Sequence, residues 1–319
     1  MPSPLASGTN IVSSTMSKYF APGGKAVDNI FKRTATLNWL NTKAKLQSQG
    51  GDQARHPIEG ATNTTFQTYS GYDQLTPAND DLLDTAVYNW RQAAIYVPMS
   101  GIEEAMNSGD RRVVDLLQTK INNAEMTAAE EFETMFHTSD GTGNGGKDWA
   151  GLEVLVDDTV AAGGIDPTVA GNEFWKSYVV SGADAALTLP QISKGYNTVS
   201  YGLDKCDFMV TTQTLYEAYE ELLQPQQRFT DPTTGKAGFD NLVHKAGTVV
   251  WSDFVPAKHW YFLNSNHVKL TVLDGKWMDF RGFVEPYDRD AKYGLILSYG
   301  TFATDGRRYL GVIKNAIPA

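Results

Sequence analysis

An α+β fold is predicted by three patterns in the 319 residues. Apolar residues recur at three and four between Val113 and Phe136, the period of one long helix. After Asn241, short β-branched and aromatic runs follow one another at the spacing of successive strands. No internal repeat or heptad array runs through either half, so one mixed architecture is expected rather than a solenoid or a coiled coil.

The chain is 41% apolar and 11% aromatic, enough to fill a core, and its length predicts two lobes or sub-domains. A formal net charge of -10 and a pI near 5.0 argue against binding that grips nucleic-acid phosphates, which needs clustered Lys and Arg. The one cysteine, Cys206, rules out an internal disulfide framework and reads as a buried small hydrophobe. The stretch MPSPLASGTNIVSSTMSKYF lacks a basic segment followed by an apolar one, and no run approaches the roughly 18 apolar residues of a membrane span. A soluble, unexported chain is expected.

Residues 1 to about 55 are rich in Ser, Thr, Asn and Gly, with scattered Phe20, Phe31, Leu37 and Trp39. They read as an arm that packs on something else. From Ile58 to Val97 the pattern is extended. Thr62–Phe66 and Ala86–Trp90 carry strand formers on either side of a turn at Thr76–Asp80, which predicts a long two-stranded excursion. A hairpin of that kind is marginal in water unless something covers it, and a second subunit is the expected cover.

Ser100 and Glu103 have capping-box spacing. Gly109 interrupts the first turns, so the main helix is placed at 110 to 137, about 42 Å long. Its apolar face is Val113, Val114, Leu117, Ile121, Ala124, Ala128, Phe132 and Phe136, with an acidic face opposite. Beyond a glycine loop, helices are predicted from Leu189 through Val199 and from Gln213 to Leu223, with a strand at Cys206–Val210 between them. Strands follow at Gly247–Trp251, His259–Leu263, Val268–Leu273, Trp277–Val284, Tyr293–Phe302 and Arg307–Ile313. The last two flank Thr304–Asp305–Gly306, which suits a hairpin turn.

The glycine loop HTSDGTGNGGKDWAGL contains G-x-G-x-x-G at Gly141, Gly143 and Gly146. A dinucleotide site needs a strand before those glycines and a helix after them, so that free amides meet the pyrophosphate. Here a helix precedes and a short segment follows. The loop reads as a connector, with Gly141 ending the helix in a left-handed conformation.

Other chemistry has little support. His259 and His267, with Asp253 or Cys206, lack an established metal-ligand spacing. The doublets Glu103–Glu104, Glu130–Glu131, Asp157–Asp158, Glu220–Glu221 and Asp80–Asp81 read as solvated faces. There is no G-x-S-x-G elbow and no Walker A sequence. Arg111–Arg112 and Arg307–Arg308 read as subunit-contact or helix-surface charges.

The order arm, extended hairpin, long helix, glycine loop, mixed lobe and late strands resembles the major capsid proteins of tailed bacteriophages, whose fold is shared with encapsulin shells. Three phrases carry the resemblance: GTGNGGKDWAGLEVLV, GGIDPTVAGNEFWKSYVV from Gly163 to Val180, and the run from Cys206 through TTQTLYEAYEELLQPQQRFTD to Leu270. It extends over roughly residues 55 to 319.

The resemblance implies a phage-capsid fold with an N-terminal arm at 1–56 and an extended β-hairpin loop at 57–98 lying over a neighbouring subunit. A peripheral domain with the long spine helix would take 99–149 and 265–304, and a mixed α/β axial domain 150–264 and 305–319. It also implies subunit contacts by Phe66, Tyr69, Tyr72, Tyr88 and Trp90, since aromatic anchors supply much of interface energy. The implied function is structural: hexamers and pentamers forming an icosahedral head around double-stranded DNA, with no catalytic residue, cofactor or metal. The arm is too short to hold a large built-in scaffold, so a separate scaffolding protein and a portal are the implied partners, with assembly in the host bacterial cytoplasm and a final place in the virion. The alternatives are an encapsulin-type compartment, a carboxylate-dependent hydrolase using the 150–290 lobe, and a lectin-like surface role.

Overall fold

The computed structural model describes residues 35–42, 47–75, 82–102, 110–223, 242–288 and 290–318. In chain order they form α1 (Ala35–Thr42), β1 (Gln47–Gln49), β2 (Gln53–Glu59), β3 (Leu83–Asn89), β4 (Arg91–Ser100), α2 (Asp110–Thr138) and the single turn α3 (Leu152–Leu155). Next come β5 (Tyr178–Val180), β6 (Ala185–Ala186), α4 (Leu189–Val199), β7 (Phe208–Thr211) and α5 (Gln213–Leu223). The last part holds β8 (Leu242–His244), β9 (Gly247–Trp251), β10 (Trp260–Leu263), β11 (Val268–Leu273), β12 (Asp279–Val284), β13 (Ala291–Thr304), β14 (Gly311–Ile313) and β15 (Ala316–Ile317).

The predicted long helix is α2, and its apolar stripe does what the spacing requires. Ile121, Ala124, Ala128, Phe132 and Phe136 are buried. The side chains of Val113, Val114 and Leu117 lie outside the described ones, as do Glu103 of the capping box and the turn at Thr76–Asp80. The stripe packs on a five-stranded sheet of order β1-β11-β13-β12, with β4 paired to β13 along its outer half. Phe132, Phe136, Trp149 and Phe302 meet edge to face between helix and sheet, with ring centroids 4.9–5.3 Å apart.

A six-stranded sheet of order β5-β14-β10-β7-β9-β8 builds the second lobe. Its strands read as continuous apolar runs because both faces are covered. Met209, Val249, Trp260, Phe262 and Ile313 face α4 and α5, while Phe208, Val210, Val250, Tyr261, Leu263 and Val312 join the core that contains α2. The lobes therefore share apolar contact through this sheet. Each large side chain buried there contributes about 1.5–3 kcal/mol.

Three expectations are corrected. Thr62–Phe66 is not a strand; it lies in the irregular tip beyond β2 and β3, without a partner strand to hold it extended. The hairpin pairs Gln53 with Asn89 through Glu59 with Leu83, whereas Arg91–Ser100 leaves it to pair with β13. Thr304–Asp305–Gly306 is not a hairpin turn: β13 pairs with β11, β12 and β4, and β14 belongs to the other sheet, so this turn carries the chain between lobes. The arm also contributes to the core, because Leu37, Trp39 and Leu40 of α1 are buried. Phe20 and Phe31 lie outside the described residues.

α2 ends at Thr138, and Gly141, three residues beyond it, has the left-handed φ of +75° expected of the loop without itself capping the helix. Gly151 then passes beneath the end of α2; a Cβ there would lie 2.2 Å from the Met135 carbonyl and 2.4 Å from that of Phe136. Only glycine allows that approach.

Candidate subunit interface

The β2–β3 hairpin has two unlike faces. Ala54, His56, Ile58, Ala86 and Tyr88 point into the protein, while Arg55, Pro57, Glu59 and Thr85 alternate outward. The inner face is fastened at several points. The Val87 amide donates to the Gly163 carbonyl at 2.8 Å. His56 Nε2 and Thr271 Oγ1 are 3.2 Å apart, and the Tyr88 hydroxyl donates to the Thr304 carbonyl at 2.9 Å. Burial and then the charge of Lys269 hold the His56 imidazole below its ordinary pKa, against an upward pull from Asp305.

Past Glu59 and Leu83 the chain projects without regular structure, and its large apolar groups are in solvent. Phe66 is 89% exposed, Tyr69 66%, and Tyr72 is fully exposed, with Leu75 and Leu83 nearby in sequence also exposed. Five such groups on one excursion form a surface suited to another protein. Of the expected contact residues, Phe66, Tyr69 and Tyr72 share this tip. Tyr88 is not with them. At 7% exposure it sits in the chain's own core, and its sequence neighbour Trp90 is half-buried with its indole N–H donating to the Gly51 carbonyl. Strand alternation explains the split, since Tyr88 falls on the inward phase of β3.

The junction below the hairpin contains the largest surprise. Arg307, expected at the surface, is fully buried. Its Nε donates to the Leu155 carbonyl at 3.1 Å, Nη1 to Val160 at 2.8 Å, and Nη2 to Val154 at 2.9 Å and Asp157 at 2.6 Å. Burial lowers its pKa to about 10, against the opposing pull of the Tyr88, Asp157 and Asp158 groups. It organises α3 and the turn after it by filling carbonyls left over at the helix end. The neighbouring Arg308 lies over the Tyr201 ring at 4.2 Å. Composition carries no sign that one member of an arginine doublet is buried.

The remaining candidates also have structural partners. Asp157 accepts from the Thr159 amide and hydroxyl and from Lys314; burial pushes its carboxyl up, but these bonds bring it down to about 2. His267 Nδ1 lies 2.8 Å from Asp305 and its ring stacks on Tyr309, while His259 Nδ1 faces the Ala257 carbonyl. Cys206 is buried, with Sγ 3.4 Å from the Phe208 carbonyl. Among the described residues no group of three or more His, Cys, Asp or Glu is arranged to hold a metal ion. In the glycine loop the amides of Gly146 and Lys147 close onto Thr142 and Gly143 carbonyls, and Arg91 donates to the Gly146 carbonyl. Among the described residues, a cleft between α2 and β4 has the single carboxylate Glu131, and another beside Gln213 has the single carboxylate Asp253.

No protein-family model and no curated protein sequence matches the chain. Solved structures do match. A chain of the cyanophage A-1(L) capsid asymmetric unit aligns with a TM-score of 0.64 at 16% identity, covering 88% of this chain and 92% of that one. This chain has the phage-capsid fold. The same fold joins it to the SrpI encapsulin of Synechococcus elongatus, with a TM-score of 0.60, 14% identity and 90% of each chain covered. A chain of the satellite phage P4 procapsid, solved with its size-determination protein, matches at TM-score 0.53 and 12% identity over 99% of this chain and 98% of that one.

Proposed function

We propose that this chain is a shell subunit whose copies assemble through hexamers and pentamers into an icosahedral head enclosing double-stranded phage DNA. The observation that carries this is the solvent-exposed aromatic tip on a hairpin whose base is fastened to a capsid-fold body. Phe66, Tyr69 and Tyr72 gain burial only when a second copy covers them, and each aromatic so buried is an anchor of the kind that dominates interface energy. No residue needs a catalytic role and no cofactor is required. The acidic balance suits an inner wall that must not hold packaged DNA tightly.

On this reading the arm is 1–56, the neighbour-covering loop 57–98, the peripheral domain 99–149 with 265–304, and the axial domain 150–264 with 305–319. The partners are further copies of the chain, a separate scaffolding protein and a portal. The P4 procapsid with its size-determination protein offers a parallel for such a partner. Assembly takes place in the host cytoplasm and the product resides in the virion. Size exclusion and negative-stain microscopy of the purified chain, with and without scaffolding protein, test the proposal. Capsomers or closed shells are expected; a monomer under every concentration and salt condition would defeat it.

The encapsulin match at 90% coverage of both chains favours one second reading, a protein compartment that holds an enzyme. The contents of isolated particles separate the two. Packaged DNA supports the phage head, and a cargo enzyme supports the compartment.

A further inference from the structure

The helix α1 meets α2 through a carboxylate that has no contact with solvent. Glu133 of α2 is fully buried, and it accepts the amides of Thr36 at 3.2 Å and Leu37 at 3.0 Å and the hydroxyl of Ser252 at 3.3 Å. Those two amides belong to the first turn of α1, where the helix leaves its N–H groups unpaired and carries a partial positive charge. One helical turn further along α2, the fully buried His137 places Nε2 2.9 Å from Thr36 Oγ1 and 3.5 Å from Glu133. On its other side α1 stacks Trp39 on Phe208 of β7, with centroids 4.6 Å apart and planes within 16°. One short helix thus touches the long helix α2 and the six-stranded sheet.

We propose that α1 is a strap tying α2 to the six-stranded sheet, held closed by the negative charge of Glu133 and opened by acid. An ionised carboxylate accepts all these donors with charge assistance, whereas a protonated one accepts them more weakly and must also donate, with only the Thr36 and Ser252 hydroxyls or His137 beside it to receive that proton. The groups facing Glu133 are few. His137 comes from α2 itself and Ser252 from the segment after β9. The sequence of α1, ATLNWLNT, brings amides and a hydroxyl but no charged side chain. Burial pushes the Glu133 pKa up, but His137 and the α1 donors outweigh it and hold the group below its ordinary 4.5. The sign follows. A carboxylate lowered by folding contributes fully above 4.5, and its contribution is lost as pH falls through the lowered value.

Hydrogen exchange followed by mass spectrometry on the full chain, corrected for intrinsic rates between about pH 3.5 and 8, reads the strap directly through peptides covering Ala35–Leu40. Peptides of β10 report global opening. In the wild type, α1 should lose protection by at least about tenfold in acid, at a higher pH than β10 loses it. Glu133→Gln keeps the volume and removes the charge; it should exchange at α1 at least about tenfold faster than wild type near pH 7, with no further acid step. Should that variant fail to fold, Ser252→Ala removes one donor and leaves the charge, and the acid midpoint of α1 should move upward while β10 stays unchanged. Simultaneous loss of α1 and β10 protection in the wild type would overturn the proposal. So would Glu133→Gln protection of α1 equal to wild type near neutrality, or an unmoved midpoint in Ser252→Ala.

Discussion

The Tyr88 hydroxyl engages both backbone groups of Thr304, donating to its carbonyl at 2.9 Å and accepting from its amide at 3.2 Å. Tyr88 lies on the hairpin and Thr304 is the last residue of β13, where the chain leaves one sheet for the other. The base of the hairpin is therefore fastened to the crossing between lobes, so the tip is carried on a rigid support while its aromatics stay in solvent.

Replacing Tyr88 with Phe keeps the ring against His56 but takes the hydroxyl partner from both the N–H and the C=O of Thr304. A loss of about 1–3 kcal/mol is expected in urea unfolding. A midpoint equal to wild type would mean that the hydroxyl does not fasten the hairpin.

The tip behaves in the opposite way. Phe66→Ser, Tyr69→Ser and Tyr72→Ser remove groups that bury nothing in the single chain, so the melting temperature of the subunit should move by less than about 0.5 kcal/mol equivalent. Sedimentation should show capsomer or shell formation lost or reduced at least tenfold in concentration terms, about 1.4 kcal/mol or more. Unimpaired assembly of the triple variant would remove the tip from the interface.

Arg307→Lys retains the charge and gives up the fork. An ammonium cannot reach four carbonyls spread over Val154, Leu155, Asp157 and Val160. A loss of about 3 kcal/mol or more is expected, since the change leaves a buried charge poorly paired. Arg308→Lys, beside it, should cost under about 1 kcal/mol, because only its ring contact with Tyr201 is altered.

The glycine loop separates space from conformation. At Gly151 an added methyl group meets backbone carbonyls, and Gly151→Ala should leave little folded protein. Gly145 has φ +68° with open space around it, so Gly145→Ala should cost about 1 kcal/mol through backbone strain alone. Added NAD should leave the melting curve of either the wild type or Gly145→Ala unchanged.

Glu125 tilts stability between weakly acidic and neutral pH. It is 6% exposed on α2, one carboxylate oxygen has no hydrogen-bond partner, and burial raises its pKa to about 7. Between 4.5 and about 7 the folded chain holds a proton that the unfolded chain has released, so stability falls as pH rises through that window. Glu125→Gln should remove the slope and exceed wild type by about 1–2 kcal/mol near pH 8, with little difference near pH 4. Parallel denaturation midpoints at the two values check this.

Local periodicity accounts for what was legible. The bounds of α4, α5, β9 and β11, and those of α2 to within one residue, follow from spacings of two or three to four, because a helix or strand buries one stripe of its own sequence. Capsid-type organisation was legible from the order of those elements. The course of Thr62–Phe66 was not, because strand formers extend only where a partner strand pairs with them. The turn at Asp305 has hairpin composition, yet β14 pairs with β10 and β5.

The residues that fasten the fold were illegible for a related reason. Arg307 joins carbonyls up to 153 positions away, and Glu133 joins amides 97 and 96 positions away. No local pattern separates these from solvated charges on a polar face. The sequence by itself determined α2, α4, α5, β9 and β11, their order and the aromatic content of the hairpin, because short-range periodicity is sufficient for those. Only the tertiary structure decided that Tyr88 turns inward while Phe66, Tyr69 and Tyr72 remain in solvent, and which charges are buried, because burial depends on chain segments that come together only after folding.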